Sequence, residues 1–159
     1  MSKPRRKYKP KGVRLDAMSW VLSGFKNVAD IPDAGTKLML INHAAFDEIR
    51  AGRGDKDHVD LLIQMVNMTE ALAKLQLGRD WLPEIAQAQN AVFSMAQRGI
   101  SGKSFLFTGE ELKIIQEVLE LHDEQLRNCP VKLMEKALTE IAKEYVHKKM
   151  RVIEPLEAV

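Results

Sequence analysis

Between Asp55 and Gln76 the apolar residues do not sit on one narrow stripe. Leu61, Met65, Met68, Leu72 and Leu75 recur at spacings of four and three, and Val59, Leu62, Ile63 and Val66 form a second stripe beside them. Spacings of three and four belong to an α-helix, and the combined arc is wider than the roughly 100° that a simple surface helix buries. A helix of this kind must be covered on more than one side. It is therefore either the centre of a bundle or the owner of an interface. The interface reading assigns self-association or a large contact with another protein to Met65, Met68 and Leu72.

The rest of the chain repeats the helical period. Leu38, Ile41, Ala45 and Ile49 place a helix over about 36–50. Trp81, Ile85, Ala88, Val92 and Met95 mark another, with Asp80 as its expected N-cap and Pro83 in its first turn, where a missing N–H costs little. Leu112, Ile115, Leu119 and Leu126 mark a third, flanked by Ile114, Val118 and Leu121. Thr108 and Glu111 stand three apart at its start, the spacing of a capping box. Met134, Leu138, Ile141 and Tyr145 form one face of a last helix beginning near Pro130. Gly52 or Gly54 suits a left-handed helix end, and Asp55 suits the next N-cap. Asp16 and the set Met18, Val21, Leu22 and Phe25 add a short N-terminal helix. The stretch RGISGKSFLF reads as a loop with a short extended piece, and RVIEPLEAV has no periodicity. The expected fold is an all-α bundle of about five helices plus the short one. A flexible basic arm occupies residues 1–14, a single helical domain 15–150, and a tail 151–159.

Charge is divided unevenly along this layout. Residues 1–16 hold Lys3, Arg5, Arg6, Lys7, Lys9, Lys11 and Arg14 against Asp16 alone, a net +6. The other 143 residues hold 17 bases and 21 acids, a net −4. Pro4 and Pro10 favour extended backbone, and Tyr8 is the arm's one large apolar group. Such an arm can neutralise several phosphates without reading sequence. Lys3, Arg5, Arg6, Lys7, Tyr8, Lys9, Lys11 and Arg14 are accordingly the candidate nucleic-acid contacts. The mildly acidic body argues against a DNA reader with a basic recognition helix.

Motifs with chemistry fail on inspection. GKS at 102–104 resembles the end of a phosphate loop, but Gln97 stands where that loop needs glycine, and a helix rather than a strand precedes it. DKDHVD from Asp55 lacks the glycine and the terminal glutamate of a calcium loop. NMT at Asn67 is a glycosylation sequon in form only, within a helix. His43, His58, His122 and His147 include no i, i+4 pair, and the one cysteine, Cys129, has no spaced partner. No metal, cofactor or catalytic residue is assigned. His43 and Asp47 are four apart and suit a surface hydrogen bond. His122 interrupts the apolar seam of its helix; it reads as a satisfied histidine at the core edge, with an interface contact as the alternative. Glu117, Glu120 and Glu124 read as a solvated face, or as an acidic surface for a basic partner.

The stretches RRKYKPKGVRLDAMSWVLSG, INHAAF, FTGEEL, ELHDEQL and RNCP resemble small uncharacterised helical proteins carried by proteobacterial prophages. The resemblance implies a cytoplasmic, mobile-element setting, and it transfers no functional residue. Absence of a long apolar run argues against a membrane span, and the basic start lacks the apolar stretch of a secretory signal. Three functions follow as expectations. The first is a non-enzymatic binding protein whose arm contacts nucleic acid or a nucleoprotein complex. The second is a protein-only inhibitor of a host complex such as a defence system, working through an acidic helical surface. The third is a small enzyme of unidentified chemistry.

Overall fold

The structure, a computed structural model, describes residues 34–102, 104–147 and 153. Among these it is all helical. α1 spans Ala34–Arg50, α2 Lys56–Lys74, α3 Leu82–Ile100, α4 Gly109–Asn128 and α5 Val131–Val146, with a 3-10 turn at Arg79–Trp81 before α3. The short helix expected near Asp16 and the basic arm lie outside the described residues. Most of the tail does too; its one described residue, Ile153, packs against the larger apolar cluster.

Local chemistry explains where the helices start and stop. Asp55 caps α2 through a reciprocal pair: its Oδ1 accepts from the His58 backbone N–H at 3.1 Å, and its own N–H donates to His58 Nδ1 at 3.1 Å. Gly52, at φ 79°, supplies the left-handed residue that ends α1. α4 carries the expected box, with the Glu111 N–H donating to Thr108 Oγ1 at 3.2 Å and the Thr108 N–H to Glu111 Oε1 at 2.9 Å. Cys129 and Pro130 end it in extended backbone.

α2 is the central helix. It packs against α1, α3, α4 and α5, and α4 also meets α1 and α3. Both of its stripes are thereby used: Val59, Leu62, Met65, Val66 and Leu72 are buried within one chain. The interface expected at Met65 and Leu72 gives way to internal packing, and Met68 is half-buried against the smaller cluster. The width of the apolar arc reflects a helix with neighbours on most of its sides, leaving Asp60, Gln64 and Lys74 on the exposed remainder.

The core has two parts. The larger includes Phe46, Ile49, Leu62, Met65, Ile85, Val92, Met95, Ile115 and Leu119. The smaller includes Leu72, Leu126, Cys129, Val131, Met134 and Ala137. Burial of a Leu or Ile side chain is worth about 1.5–3 kcal/mol, so these residues carry the fold.

Three local expectations change. α3 continues through Arg98 and Gly99 to Ile100, and the loop begins only at Ser101. Gly99 fits there because the Phe105 ring occupies the space a Cβ would need. Asp80 lies in the 3-10 turn and does not cap α3; no side chain caps it, although Pro83 does sit in its first turn. The stretch after the loop belongs to no sheet, as expected of a short connecting piece: Phe105 and Phe107 turn inward onto the larger cluster while Leu106 faces out. The Arg98 guanidinium holds it there, donating to the Leu106 carbonyl at 2.9 Å and pairing with Glu111. Finally, Ile41, Leu138 and Tyr145 are exposed rather than inward. α5 packs on α2 with Val131, Met134, Ala137 and Ile141 turned inward.

Candidate functional site

Between the two apolar clusters lies a layer of polar side chains. Asn42 on α1, Thr69 on α2, and His122, Asp123 and Gln125 on α4 are all buried. Three of them interrupt an apolar stripe at a core position: Asn42 between Leu38 and Ala45, Thr69 between Val66 and Leu72, His122 between Leu119 and Leu126.

Buried polar groups are costly unless paired, and most of this layer is paired. Gln125 does the most. Its Nε2 donates to the Thr69 carbonyl at 3.0 Å and to the Leu77 carbonyl at 2.8 Å, tying α4 to α2 and to the turn after it. With both amide protons used, its Oε1 is left to accept from His122 Nδ1 at 3.2 Å. That places the ring proton of neutral His122 on Nδ1. Desolvation holds the His122 pKa below its ordinary value; the Gln125 hydrogen bond and the Asp123 charge oppose this more weakly. Thr69 Oγ1 donates back to the Met65 carbonyl at 2.7 Å. Thus His122 is a satisfied core residue, placed deeper than the core edge and out of reach of an interface.

At the rim of the layer, His43 Nε2 donates to Asp123 Oδ2 at 2.6 Å. The expected partner, Asp47, instead pairs with Arg50 at 2.9 Å. The His43 side chain is 44% exposed and that of Asp123 12%, so the pair spans the surface and the interior. Asp123 Oδ1 and Asn42 Nδ2 are buried and have no partner.

A histidine oriented by a carboxylate is half of a nucleophilic constellation. The other half is not assembled: no hydrogen bond joins His43 to a serine, threonine or cysteine among the described residues. Cys129 is buried, and desolvation pushes its thiol up to about 11, so little thiolate exists at neutral pH. Among the described residues no group of three or more His, Cys, Asp or Glu side chains is placed to hold a metal ion. What the layer does achieve is register, because each polar residue accepts only one rotation of its helix.

The other candidate residues distribute simply. Lys3, Arg5, Arg6, Lys7, Tyr8, Lys9, Lys11 and Arg14 lie outside the described residues. Ser101 and Gly102 form a turn directly after a helix, Ser104 lies in irregular backbone, and α4 starts only at Gly109, so no phosphate loop forms from the described residues there. Asp55 and Asp57 belong to the cap and first turn of α2. Glu120 and Glu124 face solvent, and Glu117 is half-buried. Sequence reasoning passed over Asn42, Asp123 and Gln125; the available signal was a polar residue at a position whose helical neighbours are apolar.

No protein-family model matches the chain, and neither curated proteins nor solved structures provide a match. No helix of the described residues is long and apolar enough to cross a membrane.

Proposed function

We propose that the chain is a non-enzymatic binding protein whose basic N-terminal segment contacts nucleic acid or a nucleoprotein complex. The carrying observation is the division of charge: a net +6 on residues 1–16 against a net −4 on the remainder. A segment so charged gains affinity by releasing counterions from phosphates, whatever the base sequence. The helical body supplies a stably packed carrier. The likeness to prophage proteins supports a host nucleoprotein complex as the setting.

The test is binding of labelled duplex and single-stranded oligonucleotides at several salt concentrations, with and without residues 1–12. That deletion removes six of the seven bases before residue 17. Affinity should fall for all sequences alike. The slope of log affinity against log salt should flatten by about 0.9 for each duplex phosphate that the shortened chain no longer neutralises. Tyr8 would add a stacking contact on single strands of about 1–3 kcal/mol. An unchanged slope would remove the nucleic-acid reading. Loss of a host-protein complex on the same truncation, with nuclease present, would favour the inhibitor reading instead.

A further inference from the structure

α5 and α2 leave a groove of about 150 Å³ between them. Its floor is apolar, from Ala71, Leu75 and Ile141, and Glu70, Glu140 and Glu144 stand along its sides. Lys74 is the one base in the lining, so the lining carries a net −2. Glu70 meets Lys74 at 3.1 Å, and Glu140 meets Lys143 at 3.3 Å. Both are pairs within one helix, of a kind worth only about 0.3–0.5 kcal/mol, and are easily exchanged for a better cation. Glu144 has no ion-pair partner among the described residues.

We infer that this groove docks the chain's own basic segment, residues 3–14. Charge is the first reason: a +6 stretch meets an acidic groove, and arginine guanidinium groups bind carboxylates through two parallel hydrogen bonds, which lysine cannot. Shape is the second. The occupant needs an apolar body among its cations, and Tyr8 is flanked by Lys7 and Lys9. The third reason is where the chain enters the fold. Leu38 and Met39, just over one turn into α1, pack on the same apolar cluster as Ala71, Leu75 and Ile141. The described chain therefore begins within about one turn of the cluster that floors the groove. Even with the short helix expected over Asp16–Phe25 formed, residues 15–33 can span about 45 Å, at about 1.5 Å per helical and 3.3 Å per extended residue, enough to reach the groove. A tether of this length gives a local concentration of order millimolar, sufficient for a weak contact to be occupied. Docking withholds the segment from phosphates; that consequence rests on the function proposed above, whereas the docking itself does not.

Zero-length carbodiimide cross-linking of the full chain tests this, using an equal mixture of nitrogen-15-labelled and unlabelled protein read by mass spectrometry. Lys3, Lys7, Lys9 or Lys11 should be joined to Glu70, Glu140 or Glu144 within single-isotope chains. The yield should fall at least threefold between about 50 and 500 mM salt, as screening shortens. Glu144→Gln should lower the links at Glu70 and Glu140 at least twofold. Links made equally to Glu110 and Glu120 of α4, or none at the groove, would overturn the inference. So would links found mainly in mixed-isotope pairs, which would mean that a second copy supplies the segment. Adding a duplex oligonucleotide should reduce the groove links. Groove links that persist under saturating oligonucleotide would sink the nucleic-acid reading and leave the docking standing.

Discussion

His43 on α1 and Asp123 on α4, eighty residues apart, meet at 2.6 Å, and this contact closes the polar layer at its solvent side. Asp123 depends on it, because its other oxygen has no partner. His43→Ala should therefore destabilise the fold by about 1–3 kcal/mol, the cost of stranding a buried acceptor. Asp123→Asn in the same background should recover part of that loss by removing the charge. Urea midpoints of the two variants decide; a His43→Ala midpoint equal to that of the parent would show that water serves Asp123 as well.

His122 predicts the pH dependence. Burial holds its folded-state pKa below the ordinary 6.5. Between that lowered value and 6.5 the unfolded chain binds the proton and the folded chain does not. Its contribution is thus complete above pH 6.5 and is lost as pH falls through the window below. The loss is at most about 1.4 kcal/mol per pH unit. Denaturation of the parent and of His122→Gln at a series of pH values should show a steeper acid decline in the parent. Parallel curves would contradict a buried, neutral His122.

Gly99 should resist substitution although it lies inside α3. Alanine in an open helix position gains about 1 kcal/mol over glycine. Here the new methyl group would meet the Phe105 ring, which packs on the larger cluster. Gly99→Ala should lower the melting temperature, and Gly99→Ala with Phe105→Leu should restore part of it. A stabilised single variant would mean that the 104–108 segment moves aside freely.

Gln76 should show the opposite response. It has φ 84°, the left-handed conformation, at the end of α2, where the Leu77 N–H reaches back to the Leu72 carbonyl at 3.0 Å. This is the helix ending that glycine favours. A side chain in that conformation costs about 1–2 kcal/mol, partly offset by the entropy glycine loses on folding. Gln76→Gly should raise stability by about 0.5–1 kcal/mol, seen as a higher urea midpoint. A fall would indicate that the Gln76 side chain makes stabilising interactions of its own.

The helices and their caps were legible because their causes are local. The period of 3.6 and the Thr108–Glu111 and Asp55 caps involve residues within one or two turns, so the sequence carries them directly. Even the two-stripe pattern of 59–75 told correctly that this helix is surrounded. It could not tell by what, since apolar surface looks alike whether it meets another helix of the chain or a second protein. Tertiary structure decided that for Met65 and Leu72 by placing four helices around α2. It also chose Asp123 over Asp47 for His43, turned α5 so that Ala137 rather than Leu138 faces inward, and brought Gln125 to two carbonyls on another part of the chain. These depend on the rotation and spacing of whole helices, which follow from how all the side chains pack at once and from no short stretch of residues.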